Sequence, residues 1–347
     1  MWYISLKNIM KTKTLLFQLR KSVDLTASTV KKTRFFMGFL SAVMLVFAHG
    51  CGGDADVAVV DFSKTVAVER PGDQSPESPS LRVAVAAMIS PKETFVYYRQ
   101  ILDYIGDKLG RKVQLIQRKT YGEINELFGE GQIDLAFICS GPYVAGKEKY
   151  GFEALAIPQV RESPFYQSYL IVNKDSPFHK LEDLRGRVFA FTDPESNTGR
   201  LVPTYWLVQL GEMPETFFGK IIYTYSHDNS ILAVARLLVD GASIDGQIWE
   251  YYNKRSPIHT SRTRIIKKSE PFGNPPMVAS PYLPTQQKER IRQFLLSMHR
   301  DPEGKRILNE LMIDRFVAPK EEWYDPIRQM KQNLGPLKKT THATAKP

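Results

Sequence analysis

The chain has 347 residues, 43% apolar and 24% charged, with 22 Gly, 22 Pro and 11% aromatic residues. This composition excludes collagen-like, disordered and disulfide-dense classes, and the length leads us to expect roughly two globular domains. The net charge of +10 is unevenly placed: residues 1–50 hold eight Lys/Arg against one acid, which leaves +3 for residues 51–347 and −1 for residues 51–330. The body is electrically balanced, so no nucleic-acid partner is expected.

The first segment reads as an address. Lys31-Lys32-Thr33-Arg34 precede an apolar run, Phe35 to Ala48, and then His49-Gly50-Cys51-Gly52-Gly53. A basic segment, about 14 apolar residues and small residues before a Cys have the order of a secretory signal, and the run is shorter than the ~20 residues a membrane span needs. The Cys closing this run is similar to the acylated Cys of bacterial lipoprotein signals, which implies lipidation of Cys51. An ordinary signal peptide with an incidental Cys, or an uncleaved anchor, are the alternatives. Residues 1–29 match no part of a signal, and a translation start near Val30 is the expectation. Residues 1–50 are thus an N-terminal extension and signal. Residues 51–80, rich in Gly, Asp, Ser and Pro, are expected to form a flexible tether. Cys139 is the second Cys of the chain. With Cys51 lipidated it has no disulfide partner, and it reads as a small core residue of the apolar run Leu135–Cys139.

From Leu81 onward, strand and helix patterns alternate. Leu81–Ala86 is a strand, and Ser90-Pro91-Lys92-Glu93 has the form of a capping box opening an amphipathic helix that Gly110 stops. Val113–Gln117 is a strand, Thr120-Tyr121-Gly122-Glu123 a second capping box, Ile133–Ile138 a strand, and Ser140-Gly141-Pro142-Tyr143 a helix start. A second unit is expected after Ser168–Val172, with strands at Arg187–Phe191, Ile221–Tyr225, Ile244–Ile248 and Arg264–Lys267, and helices through Trp206, over Ser230–Val239, Gln286–Met298 and Pro302–Met312. The order argues an α/β protein with two lobes, each a mostly parallel sheet flanked by helices. The expected boundaries are 81–170 with 275–330 for lobe one, 171–274 for lobe two and 331–347 for a basic, frayed tail.

Three of the strand-to-helix turns, at Ser90, at Ser196-Asn197-Thr198 and at Ser226-His227, begin helices with hydroxyls, an amide or an imidazole. Helix N-termini offer free N–H groups and partial positive charge, and ligands of open α/β sheets sit beyond the carboxyl ends of strands. Such turns can hold a small oxyanion without a cluster of Lys or Arg. Taken alone, each is also an ordinary cap.

The ordered set of motifs resembles the phosphate/phosphonate-binding proteins of ABC importers. It comprises Leu81-Arg82-Val83-Ala84-Val85 with Pro91-Lys92-Glu93-Thr94, Gly131-Gln132-Ile133-Asp134-Leu135-Ala136 with Gly141-Pro142-Tyr143, Tyr166-Gln167-Ser168-Tyr169, Leu181-Glu182-Asp183-Leu184-Arg185-Gly186-Arg187, and Asp193 through Pro203. The resemblance runs from about Leu81 to Met312. It implies the type II periplasmic binding protein fold, two lobes joined by two crossing segments, with hinges expected near Leu170–Asn173 and Pro271–Met277. It further implies a ligand site made of Ser196, Asn197, Thr198, Ser226, His227 and Asp245, with Tyr121 and Tyr143 on the lobe-one side. Asp245 would repel a dianion, so it must meet a P–OH group or an amine. The run Gly246-Gln247-Ile248-Trp249-Glu250-Tyr251-Tyr252 is bulkier than the small residues usual in that family.

The implied function is extracytoplasmic capture of a small phosphorus oxyanion, namely phosphate, phosphite or a phosphonate, and delivery to an ABC permease. The protein is expected to be a monomer, periplasmic and lipid-anchored, at the outer membrane in a Gram-negative host. A sensory protein presenting its loaded form to a membrane histidine kinase is the alternative. An enzyme on a related fold is a third reading; no Ser/His/acid order with supporting context, no His-x-x-x-His and no Gly-rich phosphate loop with Lys speaks for it. Neither cofactor nor metal is expected.

Overall fold

The computed structural model describes residues 80–86, 88 and 91–335. The signal, Cys51, the tether before Ser80, the Ser90 cap and the tail beyond Gly335 lie outside them.

The first lobe is built by a βαβ series. Strand β1 (Leu81–Val85) leads to α1 (Pro91–Leu109) and β2 (Val113–Ile116), which pairs parallel with β1 from Leu81↔Val113 onward. Helix α2 (Tyr121–Gly129) starts at the capping box read from the sequence. Thr120 Oγ1 accepts from Glu123 N at 3.3 Å, and Thr120 N donates to the Glu123 carboxylate at 2.9 Å. Strand β3 (Leu135–Phe137) also pairs parallel with β1, and α3 (Ser140–Tyr150) ends at Gly151, whose φ of 72° supplies the left-handed residue that such a C-terminus needs. The chain then runs through β4 (Glu153–Gln159) and β5 (Phe165–Tyr166) into β6 (Ser168–Asn173).

The second lobe continues with β7 (Val188–Phe191), α4 (Val202–Gln209), β8 (Lys220–Tyr223), α5 (His227–Ala235), β9 (Gly241–Asp245), α6 (Gly246–Arg255) and β10 (Thr263–Lys268). The return path is β11 (Phe272–Gly273), then β12 (Met277–Ala279), α7 (Thr285–Ser297), α8 (Pro302–Glu310), β13 (Arg315–Val317) and α9 (Asp325–Leu334). Strand order is β13-β4-β12-β3-β1-β2 in one sheet and β10-β6-β9-β7-β8 in the other, and β5 pairs antiparallel with β11 between them.

Several expectations need correction. The sheets are mixed rather than mostly parallel: among the described residues only β1 with β2 and β3, and β7 with β8 and β9, are parallel pairs, whereas β4, β12, β13, β6 and β10 add antiparallel ones. Strands that arrive by crossing between lobes enter from the opposite direction to the local βαβ series, which reverses their sense. The strand expected at Ile244–Ile248 ends at Asp245, because the Asp245 carboxylate accepts from Gln247 N and Ile248 N and turns the chain into α6. Leu170–Asn173 is no swivel, since β6 is paired on both sides, with β9 and β10; the chain passes between lobes at β5 and β11. The tail expected from Lys331 begins as helix, for α9 runs to Leu334. Tyr324, Ile327 and Met330 of this region are buried with Leu201 and Trp206, so the final helix packs on both lobes.

Candidate functional site

The site begins where β7 ends. Ser196 caps the following turn, its Oγ accepting from Gly199 N at 3.0 Å, and its carbonyl accepts from both Arg200 N (3.2 Å) and Leu201 N (2.9 Å). The second bond spans five residues, which makes Asn197–Leu201 one π-wide turn, a form concentrated at functional sites. Gly199 is required here: a Cβ would sit 2.5 Å from the Thr192 side chain. The Thr198 carbonyl is pinned to the sheet by the hydroxyls of Ser168 (2.8 Å) and Ser243 (2.7 Å). With its backbone held there, Thr198 keeps Oγ1 fully buried and without a hydrogen-bond partner, and the same is true of Asn197 Oδ1. Asn197 Nδ2 donates to the Tyr166 hydroxyl at 3.1 Å. A 180° flip of that amide would let Oδ1 accept from Tyr166 and turn the NH₂ into a free donor, satisfying the orphaned oxygen.

Ser226 and His227 start α5. Ser226 is the cap, its Oγ accepting from Asn229 N at 3.4 Å. His227 is buried, and its Nδ1 accepts from Asp245 N at 3.1 Å and lies 3.1 Å from Thr192 Oγ1. An acceptor at Nδ1 puts the proton on Nε2. Burial lowers the imidazole to about 3, so it stays neutral. Asp245 faces the opposite pressure: burial raises its carboxyl to about 7, against the two backbone N–H groups that its Oδ1 accepts from.

Lobe one closes on this group from the other side. The Met88 carbonyl accepts from His227 N at 2.9 Å. Tyr121 N, at the start of α2, donates to Asp193 Oδ2 at 3.1 Å across the seam, and burial raises Asp193 to about 6. The Tyr121 hydroxyl is buried with no hydrogen-bond partner; its phenol is raised well above the ordinary value by burial, with Cys139, Asp193 and Asp245 adding to the rise. Burial likewise pushes the Cys139 thiol up to about 11, although the N–H groups of Asn197 and Gly141 face it. Gly141 packs so closely on the opposite turn that a Cβ would meet Glu195 O at 2.6 Å and Asn197 N at 3.0 Å.

The geometry therefore gathers Ser196, Asn197, Thr198, His227, Asp245 and Tyr121 along one interlobe seam, with Ser226 behind them as a cap. Tyr143 is placed elsewhere. Its hydroxyl donates to Glu321 at 2.6 Å and its ring meets Tyr324 edge-on at 4.7 Å, so it is committed to packing the last helix. Tyr166, Asp193 and Cys139 join the seam without having been singled out for it from sequence. Tyr166 lies in the motif before β6 and Asp193 in the turn after β7, so position relative to a strand end was their available signal.

The nearby cation Arg200 turns away: its guanidinium donates to Thr204 (3.2 Å) and Glu215 (3.1 Å) and stacks over Phe191. The donors around Thr198 and His227 are neutral hydroxyls, an amide, an imidazole N–H and a helix N-terminus, with two buried carboxyls beside them, while the Lys331 ammonium is engaged by the Gly141 carbonyl at 3.0 Å. Such a set suits a partly protonated oxyanion, which can both accept from the donors and donate its own proton to a carboxylate.

Comparison with known proteins identifies the family. Residues 83–324 match the model of the family described as ABC transporter, phosphonate, periplasmic substrate-binding protein. The chain belongs to this family. The Escherichia coli (strain K12) phosphonates-binding periplasmic protein is 26% identical over 265 residues, covering 75% of this chain and 78% of that one. The binding-protein component of an ABC phosphonate transporter from Pseudomonas aeruginosa superposes with a TM-score of 0.69 at 25% identity, over 73% of this chain and 86% of that one. PhnD1 from Prochlorococcus marinus (MIT 9301), solved in complex with methylphosphonate, gives 0.67 at 21% identity, over 74% and 98%. The fold is that of type II periplasmic binding proteins, and the family is one of extracytoplasmic solute-binding transporter components rather than enzymes.

Proposed function

We propose that this chain captures a small phosphorus oxyanion (phosphate, phosphite or a phosphonate) between its lobes and delivers it to an ABC permease. The observation that carries the reading is the set of buried polar groups not fully satisfied within the protein, Thr198 Oγ1, one end of the Asn197 side-chain amide and the Tyr121 hydroxyl, contributed by both lobes. An unpaired polar group in a protein interior costs about 1–3 kcal/mol, so three on one seam argue for a ligand that satisfies them. Ser196 and Thr198 donate to the oxyanion, His227 Nε2–H donates from the α5 start, and Asp245 accepts a P–OH proton or an amine. Neutral donors offset the desolvation of the anion without holding it as an ion pair would, which suits a carrier that must release its cargo.

The basic segment, apolar run and Cys51 support a diacylated N-terminus that keeps the binding domain on a tether at the membrane. Two acyl chains hold firmly where one binds marginally. Gly52 beside the Cys favours the outer membrane in a Gram-negative host. Calorimetric titration with phosphate, phosphite, methylphosphonate and aminoethylphosphonate tests the capture reading. Binding of at least one at micromolar concentration is expected, and no binding by any of them would overturn it.

A further inference from the structure

Beside the oxyanion seam lies a second space. A cavity of about 130 Å³ opens between α6 and the facing surface of lobe one, and Met88 and Asp245 belong both to its wall and to the seam. Its surface is mostly apolar, and its wall includes Met88 and Phe137, Ile248 and Tyr251 of α6, and Leu311 and Met312. Ile248 and Tyr251 come from the bulky run after Asp245.

The polar groups of this wall are largely committed. Glu250 is ion-paired with Arg161 and accepts from the Tyr169 hydroxyl at 2.5 Å. The Gln247 amide donates to Phe165 O at 3.2 Å. The Tyr98 phenol lines the cavity near the Asp245 carboxyl, which the cavity shares with the seam.

Resting on the oxyanion reading above, we propose that the ligand is an organophosphonate whose carbon-bonded substituent is uncharged and apolar, of about four to six carbons, and lies in this cavity. The size follows from the volume: a cavity of roughly 150 Å³ accommodates benzene. The lack of charge follows from the walls, because Arg161 and Glu250 are already paired with each other, so a charged end group beyond Asp245, among Leu311, Met312 and Ile248, would lose its hydration or have to break that pair. Inorganic phosphate and phosphite, which lack a substituent, would leave the apolar space unfilled.

The test is calorimetry on the full chain with four probes: inorganic phosphate, methylphosphonate, propylphosphonate and phenylphosphonate. Each methylene buried in the cavity should tighten binding about fourfold, so propylphosphonate should exceed methylphosphonate roughly 15-fold and phenylphosphonate should do at least as well. Val160 also lines the cavity, and two cavity-filling variants, Val160→Phe and Ile248→Phe, should each abolish that gain while leaving methylphosphonate affinity within about threefold. Cooperative unfolding of each variant shows that it is folded, and either one alone suffices. Equal or weaker binding of the larger phosphonates, with methylphosphonate still bound, would overturn the inference and leave the oxyanion reading standing. Retention of the gain in a folded filling variant would overturn the placement of the substituent. Failure of all four probes to bind would overturn the oxyanion reading itself and this inference with it.

Discussion

The backbone N–H of Asp245, the last residue of β9, donates to Nδ1 of His227, the first residue of α5, at 3.1 Å. One strand end thereby selects the tautomer of an imidazole on the preceding helix. With burial lowering His227 to about 3, the ring should remain the neutral Nε2–H form from pH 5 to 8. Nitrogen NMR of the labelled ring should show no titration over that range. A midpoint near 6.5 would mean that the ring is solvated and not part of a closed seam.

Thr198 should carry a large share of the oxyanion affinity. A hydrogen bond to a charged group contributes about 1.5–3 kcal/mol, so Thr198→Val should weaken methylphosphonate binding roughly 10- to 100-fold. Its carbonyl anchors to Ser168 and Ser243 are backbone bonds and survive the change. Ser196→Ala should weaken binding too, but it also removes the cap on Gly199 N and should cost about 1 kcal/mol of stability. Calorimetry paired with thermal melts separates the two effects.

Gly141→Ala should oppose closure without unfolding either lobe. The new methyl group would overlap Glu195 O and Asn197 N of the facing turn, while α3 tolerates Ala better than Gly. The expected result is a loss of affinity of tenfold or more and a larger radius of gyration in the presence of saturating methylphosphonate. An unchanged scattering curve and unchanged affinity would exclude lobe closure over this contact.

Asp245 gives the ligand-free protein a definite pH response. Its carboxyl, raised to about 7, keeps a proton in the folded state that the unfolded chain loses near pH 4. The folded state binds more protons in that window, so the Asp245 contribution to stability falls as pH rises from about 4 to 7. His227, lowered to about 3, works in the opposite sense, losing stability as pH falls below about 6.5. Asp245→Asn keeps the α6 cap, since Asn is as good a cap as Asp. The variant should therefore match the parent at pH 4 and exceed it at pH 8 by on the order of 4 kcal/mol. Urea unfolding of both proteins at the two pH values measures the difference directly.

Cys51→Ala should move the protein from the membrane to the soluble fraction on fractionation of expressing cells, and metabolic labelling with a fatty acid should be lost with it. A variant that still sediments with membranes would count against acylation and favour an uncleaved apolar anchor.

What the sequence by itself determined is what depends on neighbours a few residues apart. The alternation of strands and helices, the Thr120–Glu123 capping box, and the caps at Ser196 and Ser226 are all settled by hydrogen bonds within one turn. The apolar runs of β1, β3, β6 and β7 identify buried strands for the same reason. The tertiary structure decided everything that depends on partners about a hundred residues away. Which strands pair in reverse follows from where the chain crosses between lobes, and short strands such as β12 and β13 are stabilised only by the sheet they join. Tyr121 and Tyr143 look alike as aromatic residues near helix starts. One keeps a buried hydroxyl at the seam because Asp193 of the other lobe fastens its helix, whereas Glu321, 178 residues on, takes the hydroxyl of the other. The cavity beside Asp245 likewise belongs to no segment. It exists only as the gap left between α6 and lobe one beside contacts such as Arg255 with the Asn309 carbonyl, and no local pattern records the space between two surfaces.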